Sequence, residues 1–159
     1  MIRDIHAVAS SWNKRAEDPE DRWPESNNYI EAVREWNEAL SLTLNIEEKY
    51  RNRLLVVEYE RLFSGDAGVL KSILKKLNLA LPNSLLRQFQ GMTRDWETRS
   101  QKPLNEREGQ EDFIRANADM KGYAKLKRLA VQGIAEAHDV LLPGNPDLSP
   151  KRNNDRDFR

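Results

Sequence analysis

The run Leu54-Leu55-Val56-Val57-Glu58-Tyr59 constrains this chain more than any other stretch. It is short, apolar over four consecutive residues and β-branched at its centre, the pattern of a strand buried on both faces. A buried strand needs a neighbour. Met1-Ile2, apolar and followed at once by Arg3-Asp4, is the one offered by the beginning of the chain. Helical spacing fills the interval between them, so the order strand–helix–helix–strand predicts a right-handed crossover and two parallel strands. The fold class read from this is α/β, mostly helical, with a small parallel sheet remnant. Leu54 to Glu58 is its firmest strand, with Met1 to Arg3 beside it.

The helices are read from caps and periodicity. Asp4 is a good N-cap, and Ile5, Val8, Ala9 and Trp12 follow at helical spacing, to an end near Arg15–Glu17 before Asp18-Pro19. Asp18 to Asn28 reads as a loop in which Trp23 is either a packing anchor or part of a substrate-facing flap. Asn28 caps a second helix with Ile30, Val33, Trp36, Leu40 and Leu44 in register, expected to reach about Asn45. Asp66 caps a third, with Val69, Leu70, Ile73, Leu74 and Leu77 on one face and Asn78 closing it. A short helix follows Pro82 and is expected to stop at Gly91. Met92 to Glu111 reads as a solvated charged loop in which Arg94, Arg99 and Lys102 are candidates to meet a phosphate. The last helix is expected from Ala124 to Leu142, with His138 beside its apolar stripe as a surface residue. Residues 1–146 form one domain, and 147–159 read as a polar, disordered tail.

Charge is balanced, 26 basic residues against 26 acidic, which gives no electrostatic case for nucleic acid or an anionic membrane as partner. There is no cysteine, so neither a disulfide framework nor a thiolate metal site is available, and the two histidines lie far apart. No apolar run approaches the roughly 20 residues of a membrane helix, and the cytoplasm is the expected compartment.

The corner at Arg3 carries the chemistry. An arginine that ends a strand as a helix begins sits where open α/β sheets bind anions, because free N–H groups and the helix dipole point there. A guanidinium fork with a serine hydroxyl suits a phosphate. The wording Arg3-Asp4-x-x-Ala7-Val8-Ala9-Ser10-Ser11-Trp12 resembles the 3′-phosphate-binding motif of the PAPS-dependent sulfotransferases, in which a serine stands eight positions after the arginine, as Ser11 does after Arg3. Val57-Glu58-Tyr59-Glu60-x-Leu62, followed by a turn and an amphipathic helix, resembles a second region of that family.

The resemblance implies a sulfotransferase-like fold of which this chain is the C-terminal portion. It implies 3′-phosphoadenosine 5′-phosphosulfate as co-substrate, with no metal, and sulfuryl transfer to a hydroxyl or amine on an unidentified small-molecule or glycan acceptor. Arg3 and Ser11 would hold the 3′-phosphate. Tyr59 would contact the adenine, or else pack at the sheet edge. Lys121 and Gly122 are a looser match to a late Arg-Lys-Gly element, since Met120 stands where the arginine belongs. Glu60 is expected to order its turn or pair with a basic side chain. The family's 5′-phosphosulfate loop and catalytic base have no counterpart here, and His6 does not fit the base position. The catalytic residue is therefore unassigned, and an exposed sheet edge would favour self-association. The other reading is a catalytically inactive nucleotide-binding or helical protein-interaction module.

Overall fold

The computed structural model describes residues 1–50, 53–100 and 104–139, with side chains outside 92–100 and 135–139. Among the described residues seven helices follow in order: α1 Ile5–Glu17, α2 Tyr29–Tyr50, α3 Tyr59–Phe63, α4 Ala67–Lys76, α5 Asn83–Ser100, α6 Gln110–Asn117 and α7 Met120–Asp139. The architecture is mostly helical, and the α/β assignment is overturned: there is no sheet among the described residues.

The two expected strands do meet, but in a single isolated parallel bridge between Ile2 and Glu58. The Ile2 N–H donates to Val57 O at 2.8 Å, and the Tyr59 N–H donates to Ile2 O at 2.8 Å. The reason the ladder goes no further is local. Asp4 caps α1 immediately after Arg3, and Glu58 is the N-cap position of α3. Both segments turn into helix within three residues of the bridge. With one bridge and no third chain alongside, Leu54–Val57 runs as an extended connector whose Val56 is buried among helices.

Caps place most helix starts where the sequence does. The Asp4 carboxylate accepts from the N–H groups of His6 and Ala7, the Asn28 side chain from Ile30 N–H, and the Asp66 carboxylate from Gly68 and Val69. Each satisfies donors that a helix start leaves open. The second helix runs five residues past the expected Asn45, to Tyr50, and the last begins at Met120 rather than Ala124. The charged stretch after Gly91 differs more: α5 continues through that glycine to Ser100. A helix-ending glycine adopts positive φ, and Gly65 and Gly109 do while Gly91 does not. Inside a helix Gly91 costs about 1 kcal/mol relative to alanine, which the flanking turns carry. Arg94 and Arg99 thus stand on a helix, and Lys102 lies outside the described residues, as do the expected tail and the last turn of the final helix. His138 is on the backbone of α7, its side chain outside the description.

The principal packing partners are α1 with α2 and α4 with α7, and α2 also touches α6 and α7. The core they enclose contains Ile2, Ile5, Ala9, Ala32, Val33, Trp36, Leu40, Val56, Ile114, Tyr123, Leu126 and Ala130. The bridge sits inside this core through Ile2 and Val56, so the Arg3 corner is anchored from below by α1, α2 and α7.

Candidate functional site: the Arg3 corner

Arg3 leaves the bridge with its backbone tied down and its side chain turned to the surface. Its carbonyl accepts from Trp36 Nε1 at 2.9 Å, which fixes the residue against α2. Its guanidinium carbon lies 4.6 Å from the centre of the Tyr59 ring, within range of a cation–π contact. Tyr59 is in turn tilted against Phe63, with ring centres 4.4 Å apart. The nearest carboxylate oxygen to Arg3 Nε is on Glu60, at 4.0 Å, too long for a hydrogen bond. Nε is buried and has no hydrogen-bond partner, while the side chain as a whole is 35% exposed.

The surroundings are more acidic than a phosphate site read from sequence would have them. Asp4 fills the helix N-terminus with its own carboxylate. The Asp4 N–H is bound to Glu60 Oε1 at 3.2 Å, so Glu60 orders the turn at Asp4 rather than its own. Beneath them Glu58, with only 9% of its side chain exposed, is paired with Lys127 of α7 at 3.4 Å. Tyr123 is buried against Trp36, ring centres 5.2 Å apart. Its hydroxyl is pushed well above the ordinary phenol range by burial first, then by the charges of Asp4, Glu60 and Glu58. Tyr123 therefore stays a neutral hydroxyl throughout the ordinary pH range and is no base.

Of the residues assigned from sequence, Arg3 and Tyr59 are brought into direct contact. Ser11 is exposed on α1, six residues beyond the helix start and so about 9 Å further along its axis. Its neighbour Ser10 is the buried serine, accepting from Asn105 N–H at 2.6 Å. Lys121 is exposed on the first turn of α7. Gly122 beside it is buried, and its N–H is already taken by Asp119 Oδ1 at 2.9 Å. A Cβ at Gly122 would collide with that same carboxylate, so close packing accounts for the glycine. His6 Nδ1 faces Glu111 of α6 at 3.4 Å.

No family model, curated protein or solved structure matches this chain. The corner must therefore be read from its own geometry.

Glu58, Tyr123, Lys127 and Trp36 are the residues that the sequence did not bring forward. Glu58 lies inside the second quoted motif, but its burial is a product of α7 crossing above it. Trp36 looks like any core residue of an amphipathic helix; only its indole N–H, reaching Arg3 O, gives it a part in the corner. A second polar cleft, of about 470 Å³, lies at the other end of α1, lined by Glu17, Asp18, Asp21, Trp23, Glu25 and Arg107 among others. Its charges are mutually engaged. Arg15 binds Asp21 and stacks on Trp23 at 4.0 Å, and Arg107 binds Glu17. Trp23 also packs edge-on against Trp12, 4.9 Å between centres, which favours its role as a packing anchor. Among the described residues no group of acidic side chains and histidine is arranged to hold a metal ion, and no helix is long and apolar enough to cross a membrane.

Proposed function

We propose that the Arg3 corner binds a 3′-phosphorylated adenosine nucleotide, as the 3′-phosphate and adenine half of the donor site in PAPS-dependent sulfuryl transfer to a hydroxyl or amine acceptor. The observation that carries this reading is the state of Arg3: a guanidinium held by an aromatic face rather than by a carboxylate bond, with a buried Nε lacking a partner. A buried donor left unmade costs about 1–3 kcal/mol, and an incoming phosphate oxygen would recover it. Tyr59 alongside is the candidate adenine contact, its ring already met by Arg3 and Phe63. Opposing this, Glu60, Asp4 and Glu58 repel a dianion, although Glu58 lies against Lys127 and Glu60 lies 4.0 Å from Arg3 itself. The expected affinity is accordingly modest and falls with added salt.

In the transfer itself the acceptor oxygen or nitrogen attacks sulfur and gives up its proton to a base that is unassigned, the bond from sulfur to the 5′-phosphate oxygen breaks, and negative charge grows on the leaving bisphosphate. Donors around that charge supply the rate. Arg3 and Tyr59 would serve the far end of the nucleotide and fix its position. The filling of the α1 N-terminus by Asp4 favours the other reading, a binding or interaction module without turnover.

Calorimetric titration of the chain with adenosine 3′,5′-bisphosphate and with adenosine 5′-monophosphate separates these. Losing a charged hydrogen bond costs about 1.5–3 kcal/mol, so Arg3→Ala is expected to weaken the bisphosphate by roughly ten- to a hundred-fold and to leave the monophosphate unchanged. Ser11→Ala, removing a neutral hydroxyl worth about 0.5–1.5 kcal/mol, is expected to cost less. An equal loss for both nucleotides would mean that Arg3 acts through folding. If the parent chain binds neither, the corner is architecture and the proposal fails.

A further inference from the structure

The Asp4 N–H and Arg3 Nε share one neighbouring carboxylate oxygen, and only the first is satisfied by it. Glu60 Oε1 accepts from the Asp4 N–H at 3.2 Å and stops 4.0 Å from Arg3 Nε, which stays buried without a hydrogen bond. The corner thus already holds an anion, and that anion uses half of what the corner offers.

The source of that oxygen separates two roles. Asp4 is the N-cap of α1, and in a capping box a Glu or Gln at the third helical position reaches back to the N-cap N–H. That position is Ala7 here. Glu60, on the first turn of α3, supplies the acceptor instead, from 56 residues away. A glutamine serves a capping box as a glutamate does, so this role needs the oxygen and not the charge. The charge is set against Arg3. Arg3 is held in place, its carbonyl on Trp36 Nε1 at 2.9 Å and its guanidinium over the Tyr59 ring at 4.6 Å. The Glu60 side chain is 39% exposed and has solvent to turn into. The cation is the fixed partner and the anion the movable one.

We propose that Glu60 is the resident anion of the Arg3 corner, an internal competitor that a 3′-phosphate displaces on binding. The inference rests on the nucleotide reading above and adds how that site is regulated. A phosphate monoester at neutral pH carries a charge of about −1.5 to −2 and three acceptor oxygens. One oxygen takes the Asp4 N–H while another reaches Arg3 Nε, a pair of bonds that the tethered carboxylate does not make. The released Glu60 turns to water, where its charge is screened. Glu60 therefore sets a threshold for entry. A dianion with two bonds to offer replaces it, and a nucleotide without a 3′-phosphate leaves it in place.

Glu60→Gln separates charge from capping, because it keeps an acceptor for the Asp4 N–H and removes the competing charge. Its urea denaturation is expected to match the parent. Its calorimetric titration is expected to show adenosine 3′,5′-bisphosphate bound about tenfold more tightly at low salt, with adenosine 5′-monophosphate unchanged. In an Arg3→Ala background the same substitution is expected to gain about twofold or less, since the contest is for Arg3. Inorganic phosphate, followed by nuclear magnetic resonance of the Asp4 N–H and Arg3 Nε–H, gives a readout without the nucleotide. Both resonances are expected to move in Glu60→Gln at concentrations that leave the parent unmoved. The inference is overturned, with the nucleotide reading intact, if the parent binds the bisphosphate and Glu60→Gln binds it no more tightly. A gain undiminished by Arg3→Ala, or a Glu60→Gln chain clearly less stable than the parent, also overturns it. If Glu60→Gln takes phosphate at both resonances and neither chain takes the nucleotide, the inference stands and the nucleotide reading falls. If phosphate moves neither resonance in either chain and no nucleotide binds, both fall.

Discussion

Asp66 shows how much one carboxylate can do outside any functional site. It accepts from Gly68 and Val69 at the start of α4 and from Arg61 Nε at 2.9 Å. Burial alone would raise its pKa, but the Arg61 hydrogen bond and the two N–H donors outweigh it and hold the carboxyl below its ordinary value. A group whose folded-state pKa is depressed contributes stability above the unfolded pKa, about 3.9 for aspartate, and loses it as pH falls through the folded one. Asp66→Ala is therefore expected to cost about 1–2 kcal/mol near neutrality, measured by urea denaturation, and progressively less below about pH 4. Asp66→Asn should retain the cap while losing most of this pH dependence. A cost for Asp66→Ala that is unchanged in acid would show that its charge is not what matters. Asn13 makes a second case. Its Nδ2 donates to Asn105 O and to Gln110 Oε1, at 2.9 and 2.6 Å, and its Oδ1 accepts from Tyr29 N–H at 3.0 Å. Asn13→Ala strands three partners in the interior and should cost about 2–4 kcal/mol at this rate of loss per bond. Gln110→Leu, which also removes an Nε2 that has no partner, should cost clearly less in the same denaturation series. The reverse order would show that Gln110, and not Asn13, holds the 105–110 segment to α1.

Helices were legible wherever their ends are marked by side chains. Asp4, Asn28, Asp66 and Asn78 stand at helix boundaries that caps and spacing alone locate, because capping is settled within three or four residues of sequence. The pairing of Leu54–Val57 was not legible in the same way. A short apolar run reports burial on all sides, and burial by helices satisfies it as well as burial within a sheet. Which of the two occurs depends on whether another backbone is within hydrogen-bonding reach for several residues, and among the described residues Ile2 alone bridges to this segment. The continuation of α5 past Gly91 was hidden for a related reason: an isolated glycine ends a helix only when its φ turns positive, a choice made by the chain that follows. At the candidate site, Arg3 and Tyr59 could be named from motif spacing, and the structure puts them in contact. The carboxylates around them could not be weighed in advance, since Glu58 and Glu60 reach the corner across 56 residues of intervening chain. The network at Asn13 spans 92 and 97 residues to Asn105 and Gln110, and an asparagine on an amphipathic helix carries no mark of it.

Taken whole, the described residues combine the local α1–α2 pairing with long-range ties, among them the Ile2–Glu58 bridge and the Asn13 links to Asn105 and Gln110. The Ile2–Glu58 bridge joins positions as far apart as Asp4 and Glu60, 56 residues. Closing a flexible loop of that length costs about 3.5 kcal/mol in chain entropy, returned only when Ile2 and Val56 are both buried. The α1–α2 pair, joined by a short connection, asks for far less before its core contacts repay it. The bridge should thus form after the α1–α2 pair and open before it. Val33→Ala, in the α1–α2 core, is expected to slow folding. Ile2→Ala, costing about 2–4 kcal/mol at equilibrium, is expected to appear almost wholly as faster unfolding in stopped-flow chevrons. An Ile2→Ala chain that folded slowly and unfolded at the parental rate would place the bridge in the nucleus instead. With this order, Arg3 is carried into position only after α1 and α2 have paired, so the corner exists only in chains that have passed that step.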